Sequence, residues 1–515
     1  MGWWPDRPHN TLVLAFDSPF HDHASSPRGL EAIPGDGYSG AAGGSICGDL
    51  LTIGFAVRDG RISAAGFNVE GCTAATAAAS AVVEMINGAT VLEAARIGRD
   101  EISAELGGLS PQRVHAAVLA EEALHRALGA CVGDPEIASL AEPDPRRVLV
   151  AMSGGVDSAV AASLLAERGS STVALTLQLW DDPGTDGTVS CCSPQAVTAA
   201  RRLAQGMGMP HFTLDLRDAF RRGVVDPYIG AFDEGLTPNP CVGCNGHVRF
   251  DALDAVRDRL GAAKLATGHY ARIEEDADGP LLARAVDDRK DQTYMLAAVD
   301  PTLLARIEFP LGSLTKPEVR RRAAVAKLSV AEKPESQDLC FLAGIGRDGF
   351  LKRHGGRGDH PGAIVDREGQ TVGRHRGAHR FTVGQRRGLG VAAPEPLYVL
   401  RIDTDSNEVV VGPRDALAVE TVRLFGARLL RDGDQVDRVK LRYQTEPAAC
   451  RIEGSPLAGR HRELEITLAD PVLGAAPGQV ACLMRGGAVI GWATIARPDA
   501  PVARESVGGR AKLHA

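Results

Sequence analysis

The chain has 515 residues, of which 44% are hydrophobic and 24% are charged. At roughly 100–200 residues per domain, this length is enough for about three folded domains, and the composition excludes a mainly disordered or fibrous chain. The formal net charge is −8, but residues 1–140 hold 8 basic and 17 acidic side chains, which leaves +1 for the remainder. The total charge therefore does not exclude a polyanionic partner for that remainder.

Membrane and secretion signals are missing from the sequence pattern. No apolar run approaches the roughly 18 residues of a membrane span, and the opening residues do not have the pattern of a secretory signal. We therefore expect a cytoplasmic protein. The 10 cysteines are too sparse for a disulfide scaffold in a chain this long, and in a reducing compartment clustered thiols indicate metal or sulfur chemistry.

The predicted elements divide the chain into several domains. An N-terminal α+β domain over 1–135 ends with a helical stretch near Cys131, and a Pro-rich, charged linker follows at 136–146. From Val148, β-rich runs (VLVAM, TVALTLQLW, HFTLDL) alternate with helical runs (SAVAASLLAERG, QAVTAARRLAQGMG). The helical DALDAVRDRLGA then precedes a further predicted strand, KLATGHYARI. This alternation predicts a parallel sheet with crossover helices over 147–350.

Helical periodicity fades after about Cys340, and short β-rich runs separated by Gly, Pro and Asp follow. We predict a small β-rich central domain at 351–415, a barrel-like C-terminal domain at 416–500 and a tail at 501–515. The whole chain is thus predicted to be a multidomain α/β protein. Residues 341–400 contain 10 Lys and Arg against 5 Asp and Glu, which suits contacts with a nucleic-acid backbone, although a solvated face is the alternative.

A glycine-rich loop joins the first predicted strand of the sheet to a helix. It reads AMSGGVDS and comprises Ala151, Met152, Ser153, Gly154, Gly155, Val156, Asp157 and Ser158. Two glycines allow a tight turn, so that backbone N–H groups and the helix N-terminus face an anion. The loop lacks the Gly-Lys-Ser/Thr ending of ordinary P-loops and resembles the PP-loop of ATP pyrophosphatases. This resemblance implies that the loop binds ATP, with Mg²⁺, and directs attack at its α-phosphate.

Two thiols at C-x-x-C spacing, Cys241 and Cys244, lie in the Pro-rich segment TPNPCVGCN. Taken alone, this spacing fits half a zinc site, a redox pair or two incidental thiols. A third thiol, Cys340, lies in SQDLCF, where the alternative is a small buried hydrophobic residue.

These segments together resemble the tRNA-specific 2-thiouridylases of the MnmA/TrmU type over about 147–497. The resemblance rests on AMSGGVDS, TPNPCVGCN, ATGHYAR, FPLGSLTKPEVR, SQDLCF and FTVGQR, and on the later PLYV, LRY and PGQ. It implies ATP-dependent thiolation of the wobble uridine: the C2 oxygen is adenylated and sulfur then replaces it. The family pattern makes Cys244 the nucleophile and Cys340 the persulfide carrier, and a disulfide between two thiols can release the sulfur.

The same resemblance implies further site residues. Leu177 and Gly268 are expected to line the adenosine site, and Asn239, Pro240 and Cys241 to meet the target base. The residues expected to contact tRNA are His269, Lys290, Asp291, Gln292, Arg442, Tyr443 and Gln479. An exposed wobble base suits this design, since proteins usually read unstacked RNA bases.

The N-terminal 140 residues resemble the NifU/IscU-type iron–sulfur scaffold instead. Cys47, Asp49 and Cys72 match its ligand positions, but the third cysteine position, after His115, is Ala116. Cys47, Asp49, Cys72 and His115 are usable ligands for zinc or a labile cluster. The alternatives are a retained docking surface for a cysteine desulfurase or other persulfide donor, which would raise the local donor concentration, and a purely structural appendage.

Three other functions compete with the persulfide mechanism. Cys241, Cys244 and Cys340 are three thiols that suit a [4Fe-4S] cluster with one open iron. A second alternative is an iron–sulfur carrier or desulfurase-binding protein with a degenerate enzyme domain. A third alternative is another PP-loop ligase or amidotransferase. The sequence assigns no role to Cys131, Cys191 or Cys192.

Overall fold

The computed structural model describes most of the chain, namely residues 18–44, 48–182, 193–334, 339–355 and 358–497. Cys47, Cys191, Cys192 and the tail at 501–515, for which the sequence raised expectations, lie outside the described residues. Within the described ranges, no helix is long and apolar enough to cross a membrane.

The N-terminal domain packs helices against a three-stranded antiparallel sheet of order β1-β2-β3. Its strands are β1 (Tyr38–Gly43), β2 (Leu50–Arg58) and β3 (Arg61–Glu70). Its helices are α1 (Pro19–Ser25), α2 (Thr73–Ile86), α3 (Val91–Ala94), α4 (Arg99–Glu105) and α5 (Val114–Gly133). Leu51, Ile53 and Phe55 alternate along β2 and are fully buried, so one face of the sheet joins α2 and α5 in a core.

The second domain contains the predicted parallel sheet, whose strand order is β10-β7-β4-β5-β6. Its strands are β4 (Asp144–Ala151), β5 (Ser171–Gln178), β6 (His211–Asp215), β7 (Ala262–Thr267) and β10 (Ile307–Glu308). An antiparallel hairpin, β8 (Arg272–Asp276) and β9 (Gly279–Ala283), lies between β7 and β10 in the chain.

The predicted strand KLATGHYARI was wrong as one continuous element, because β7 ends at Thr267 and β8 begins at Arg272. At Gly268 the chain turns against a helix, and a Cβ there would lie 2.7 Å from the backbone nitrogen of Ser158. Continuing the strand would prevent this approach.

Helices cover this sheet and lead into the site segments. They are α6 (Val156–Glu167), α7 (Pro194–Gly206), α8 (Arg217–Phe220), α9 (Asp226–Asp233), α10 (Pro240–Cys244), α11 (Phe250–Arg259), α12 (Thr293–Leu296), α13 (Pro301–Leu304) and α14 (Lys316–Val325). Two π-helical turns, Arg221–Val225 and Asn245–Arg249, follow α8 and α10 directly.

The remaining chain is rich in β structure, as predicted. The central sheet, of order β12-β11-β14-β13, contains β11 (Gly362–Val365), β12 (Thr371–His375), β13 (Tyr398–Asp403) and β14 (Glu408–Gly412). The last strands are β15 (Ala418–Leu429), β16 (Arg438–Lys440), β17 (Ala448–Ile452), β18 (Gly459–Leu473), β19 (Val480–Arg485) and β20 (Ala488–Ile495). Pairing of β15 with both β18 and β20 closes these six strands into a barrel, and β9 pairs with β20 outside it. One helix, α15 (Gly346–His354), interrupts the β-rich pattern expected after Cys340.

The N-terminal domain and the parallel-sheet domain share one hydrophobic core. Phe212 and Leu214 of β6 are buried in the same cluster as the apolar side chains of α5. The contact is close, because a Cβ at Gly129 of α5 would lie 2.4 Å from the carbonyl oxygen of Thr213. Helix α5 therefore covers β6, which lies at the edge of the parallel sheet.

Candidate functional site

The glycine-rich loop lies between the end of β4 and the start of α6, at the carboxyl edge of the parallel sheet. Ser153 N donates a hydrogen bond to Ser158 Oγ at 3.1 Å, and Ser158 Oγ donates to the Gly155 carbonyl at 3.2 Å. Gly154 has φ of +68°, a conformation that favours glycine. These bonds and this turn hold the loop around the N-terminus of α6, where anions bind favourably.

The two residues expected to line the adenosine site reach the same edge. Leu177 is the penultimate residue of β5, and Gly268 follows the last residue of β7. β5 and β7 are the two neighbours of β4, so their carboxyl ends flank the loop. The structure thus places Leu177, Gly268 and the loop beside one another.

Two lysines contact the loop that sequence reasoning did not single out. Lys316 Nζ lies 2.7 Å from Asp157 Oδ1, which also accepts a hydrogen bond of 2.9 Å from the Tyr270 hydroxyl. Lys333 Nζ donates to the Gly154 carbonyl at 2.9 Å. Lys316 belongs to FPLGSLTKPEVR and Tyr270 to ATGHYAR, so the family motifs could have pointed to both residues. None of the sequence motifs contains Lys333. The loop therefore has two ammonium groups beside it that suit a polyphosphate.

The C-x-x-C cysteines lie on α10, whose start is capped by Asn239. Its Oδ1 accepts hydrogen bonds from Cys241 N at 3.1 Å and Val242 N at 3.4 Å, and Pro240 occupies the first turn, where its missing N–H costs nothing. Cys244 ends the helix and is buried, whereas Cys241 is half-buried. A π-helical turn follows Cys244 directly, and such turns are frequent at functional sites.

Cys244 and Cys340 pack into one aromatic cluster. Cys244 is among its buried members, and the half-buried Cys340 packs against it. The aromatic members are Trp180, Phe220, Tyr228, Phe232, Phe341 and Phe350. Two thiols that are 96 residues apart in the sequence thus belong to the same hydrophobic cluster.

Two buried polar atoms beside these thiols have no hydrogen-bond partner within the described part of the chain: Trp180 Nε1 and Asn245 Oδ1. The amide of Asn245 is otherwise fixed, because its Nδ2 donates to the Met295 carbonyl at 2.9 Å. Unsatisfied buried polar groups are uncommon in folded proteins and often mark functional sites. Nothing in the sequence pattern distinguished either atom.

The C-terminal barrel borders the cysteine segment. Gln479 Nε2 donates to the Thr237 carbonyl at 2.7 Å, and Thr237 N donates to the Pro477 carbonyl at 2.8 Å. On the neighbouring barrel loop, the Tyr443 ring lies 6.5 Å from that of Tyr294, and Arg442 Nη2 donates to the Val383 carbonyl at 3.4 Å. Gln479, Tyr443 and Arg442 thus lie where barrel, central domain and cysteine segment meet.

The Lys290–Gln292 segment is held from within the protein. The Asp291 side chain is fully buried, accepts a hydrogen bond of 2.8 Å from Thr293 Oγ1 and pairs with Lys440 Nζ at 3.4 Å. Gln292 Oε1 accepts a hydrogen bond from Tyr270 N at 2.9 Å. The sequence predicts that Lys290, Asp291 and Gln292 contact tRNA, but the buried Asp291 side chain instead binds Thr293 and Lys440 within the protein.

His269 is neutral at physiological pH. Burial, together with the nearby Arg249 guanidinium, lowers the pKa of His269 to about 3. A ring nitrogen of His269 lies 2.8 Å from Thr267 Oγ1, and the ring packs near Phe250 and Phe309. Its contacts with RNA would therefore be those of an uncharged imidazole.

Three predicted metal ligands converge in the N-terminal domain. The ligand atoms of Asp49, Cys72 and His115 all lie within 4.8 Å of one another. His115 Nδ1 donates to the Gln112 carbonyl at 2.8 Å, so its Nε2 lone pair is available and faces Cys72 Sγ at 3.8 Å. Asp49 Oδ2 is buried and accepts no hydrogen bond within the described residues, while Asp49 Oδ1 accepts one from Cys72 N at 3.1 Å.

This donor set fits a single metal ion. A thiolate, an imidazole and a carboxylate are suitable zinc ligands, and Cys47 precedes the group in sequence but lies outside the described residues. Ala116, at the third cysteine position of the scaffold pattern, is fully buried in α5 and offers no ligand atom.

Four family models match successive stretches of the chain. The NifU-like N terminal domain family matches residues 17–134, and the tRNA methyl transferase HUP domain family matches 146–344. The tRNA methyl transferase PRC-barrel domain matches 348–413, and the aminomethyltransferase β-barrel domain matches 414–495.

One curated relative matches nearly the whole chain, and others match about two thirds of it. A bifunctional protein NifU/MnmA of Rubrobacter xylanophilus is 45% identical over 492 residues, which cover 93% of this chain and 98% of the relative. The tRNA-specific 2-thiouridylase MnmA of Geobacter metallireducens is 40% identical over 68% of this chain and 97% of its own length. That of Chloroflexus aggregans is 43% identical over 68% and 99%, respectively. The chain therefore belongs to the MnmA family of tRNA-specific 2-thiouridylases, in the form that carries a NifU-like domain at its N-terminal end.

Proposed function

We propose that this chain thiolates C2 of the wobble uridine of tRNA, using ATP to activate the C2 oxygen and a persulfide on Cys340 as the sulfur source. The observation that carries the proposal is the packing of Cys244 and Cys340 in one cluster. That cluster includes Leu179 and Trp180, which follow the end of β5, and the nucleotide loop lies at the end of the adjacent strand β4. Activation and sulfur transfer can thus occur at one edge of the sheet.

In the activation step, the C2 oxygen attacks the α-phosphate of ATP and pyrophosphate leaves. The Gly154–Gly155 turn and the N-terminus of α6 bind the phosphates through N–H groups. Lys316 and Lys333 supply positive charge where pyrophosphate departs. Both oxygens of Asp157 lie within 2.8 Å of Lys316 Nζ, so this carboxylate fits poorly as a Mg²⁺ ligand. Mg²⁺ would enter bound to ATP.

In the transfer step, the terminal persulfide sulfur of Cys340 attacks C2, and AMP leaves with the former C2 oxygen. The Cys244 thiolate then attacks Cys340 Sγ, which breaks the S–S bond and leaves the sulfur on C2. The products are the thiolated base and a Cys244–Cys340 disulfide, which a reductant must reopen before the next turnover. Asn239, Pro240 and Cys241 hold the base, and Lys290, Arg442, Tyr443 and Gln479 contact the tRNA around it.

The test separates activation from transfer. Wild-type and Cys340→Ala proteins are given tRNA, ATP and a persulfide donor, and both pyrophosphate release and thiolated uridine are measured. We expect Cys340→Ala to retain tRNA-dependent pyrophosphate release and to lose thiolation. Cys450→Ala is the matched control, since Cys450 is also half-buried and burial raises the pKa of its thiol to about 12. Normal thiolation by Cys340→Ala would contradict the assigned roles.

The competing mechanism uses a [4Fe-4S] cluster on Cys241, Cys244 and Cys340. Anaerobic iron analysis, a visible spectrum and a thiolation assay with chelated iron test it on the full chain, because the N-terminal and catalytic domains share a core. Thiolation without iron supports the persulfide mechanism. Activity that appears only after cluster reconstitution supports the cluster.

For the N-terminal domain, we propose a single zinc ion on Asp49, Cys72 and His115, with Cys47 as the fourth candidate ligand. A bound ion would neutralise the buried Asp49 carboxylate and fix the segments that carry its ligands. Metal analysis of the full chain should give about one zinc per chain, lost in Cys72→Ser. Cys131→Ser, which changes a buried thiol on α5, should retain it. Iron and sulfide in place of zinc would contradict the proposal.

We also propose that the N-terminal domain docks a cysteine desulfurase or another persulfide donor. The support is the NifU-like domain itself, together with the requirement for sulfur at Cys340. A pull-down of the full chain with a cysteine desulfurase tests this, and failure of the desulfurase to bind would contradict it.

A further inference from the structure

A buried carboxylate ties the segment after Cys340 to the end of β5. Asp182 lies four residues beyond β5, and its side chain is only 4% exposed. It accepts hydrogen bonds from Arg353 Nη1 at 2.9 and 3.0 Å, and from His354 Nε2 at 3.0 Å. Arg353 and His354 are the last two residues of α15, the helix that begins six residues after Cys340. None of the motifs identified in the sequence contains Asp182.

The same segment packs on Trp180, two residues before Asp182. The Trp180 ring lies 5.1 Å from His354, 5.9 Å from Phe350 and 6.5 Å from Phe341. Phe341 is the residue directly after Cys340. The indole therefore contacts both the thiol-bearing turn and α15, and the Asp182 hydrogen bonds fix the far end of that helix.

The contacts of Trp180 and Asp182 with α15 link the nucleotide-binding edge of the sheet to the segment that carries Cys340. Strand β5 carries Leu177 at the nucleotide side, and Trp180 and Asp182 follow it at the thiol side. Cys340 is only half-buried and does not lie on a helix or strand, so the packing of the residues around it must hold its position. A buried carboxylate with two cationic or hydrogen-bonding partners restricts orientation strongly.

Resting on the proposed function, we infer that Asp182 is a positioning residue for sulfur transfer: by holding the C-terminal end of α15, it keeps Cys340 packed against the cluster that contains Cys244. It does not touch the reacting atoms. Its loss should therefore slow the steps that need both sulfurs and leave activation by ATP intact.

The test uses Asp182→Asn in the full chain, which removes the charge but keeps the shape. The released Arg353 side chain is 44% exposed and can turn towards water. Pyrophosphate release should stay within about twofold of wild type, whereas single-turnover thiolation should fall about ten- to hundredfold, the range expected when a reacting group moves by about 1 Å. Asp182→Glu, which restores the charge, should recover part of the loss.

A second readout does not depend on tRNA or ATP. Oxidant-induced formation of the Cys244–Cys340 disulfide, followed by mass spectrometry of peptides, should slow by a similar factor in Asp182→Asn. Arg353→Met, which removes one of the two partners on the helix and leaves His354, should slow both reactions less and serves if Asp182→Asn does not fold. The matched control is Asp403→Asn, because Asp403 also pairs with an arginine, Arg401, at 2.9 Å, but in the central domain.

Wild-type rates of thiolation and disulfide formation in Asp182→Asn would overturn the inference. Parallel loss of pyrophosphate release and thiolation would also overturn it, because that pattern indicates general damage. If the wild-type protein does not thiolate tRNA, the proposed function fails, and the disulfide rates still test the role of Asp182.

Discussion

Breaking one buried ion pair should destabilise the N-terminal and catalytic domains together. Glu121 on α5 and Arg201 on α7 are 4% and 6% exposed, with 3.7 Å between Oε1 and Nη1. Glu121 Oε1 also accepts a hydrogen bond from Gln205 Nε2 at 3.3 Å. Glu121→Gln leaves the Arg201 guanidinium buried without its counter-charge, which costs about 3–5 kcal/mol. Removing both charges in Glu121→Leu/Arg201→Met should cost less, because no buried charge is left unpaired.

Thermal unfolding of the full chain, followed by calorimetry, measures the effect. At an unfolding entropy of about 2.1 cal/mol/K per residue, a joint transition of roughly 330 residues shifts by about 1.4 °C per kcal/mol, so Glu121→Gln should lower the midpoint by roughly 4–7 °C. The shared core further predicts that both domains unfold in one transition, and that this transition shifts as a whole. Asp100→Asn is the control, because that carboxylate is 87% exposed and pairs with Arg99 at the surface. A separate N-terminal transition, or a Glu121→Gln midpoint equal to that of the control, would refute the reasoning.

Three further predictions concern the loop, a buried histidine and the cysteine helix. Gly268→Ala places a Cβ 2.7 Å from Ser158 N, so the KM for ATP in pyrophosphate release should rise about ten- to hundredfold; Gly206→Ala, where a Cβ meets nothing within 4 Å, should not change it. Burial lowers the pKa of His125 to about 3. Between about pH 6.5 and 3 this histidine is therefore protonated in the unfolded chain but neutral in the folded chain, so stability decreases as the pH is lowered through that window. Urea unfolding should show a loss of about 2 kcal/mol for this group from pH 7 to 5, and His125→Gln should show a smaller pH dependence; an equal dependence would contradict the assignment. Asn239→Ala removes the cap of α10 and should cost about 1 kcal/mol locally, seen as faster amide exchange at Cys241 and Val242; unchanged exchange there would contradict the capping role.

Local patterns predicted most of the architecture. The alternation from Val148 onward predicted the parallel sheet, and the strand–glycine–helix pattern located the nucleotide loop. The same local reasoning extended one strand through Gly268, because a run of β-forming residues does not reveal that a helix approaches there. It did not predict α15 either, since only Phe350 and Leu351 of that helix are buried.

Contacts between distant segments could not be predicted from local patterns. Lys333 reaches Gly154 across 179 residues, and none of the sequence motifs contains it. Asp182 meets Arg353 across 171 residues, so each looks like an ordinary surface charge in the sequence. The joint role of Cys244 and Cys340 is implied by the family resemblance, and the structure places both thiols in one aromatic cluster.

The covering of β6 by α5 bears on how this fused chain can evolve. Deleting the N-terminal domain would expose Phe212 and Leu214 to water, so selection for a folded catalyst also preserves α5. The ligand positions are under no such constraint: Ala116 fills its buried site in α5 without a thiol. The burial of Phe212 and Leu214 thus gives this chain a reason to keep α5 that does not depend on metal chemistry at Asp49, Cys72 and His115.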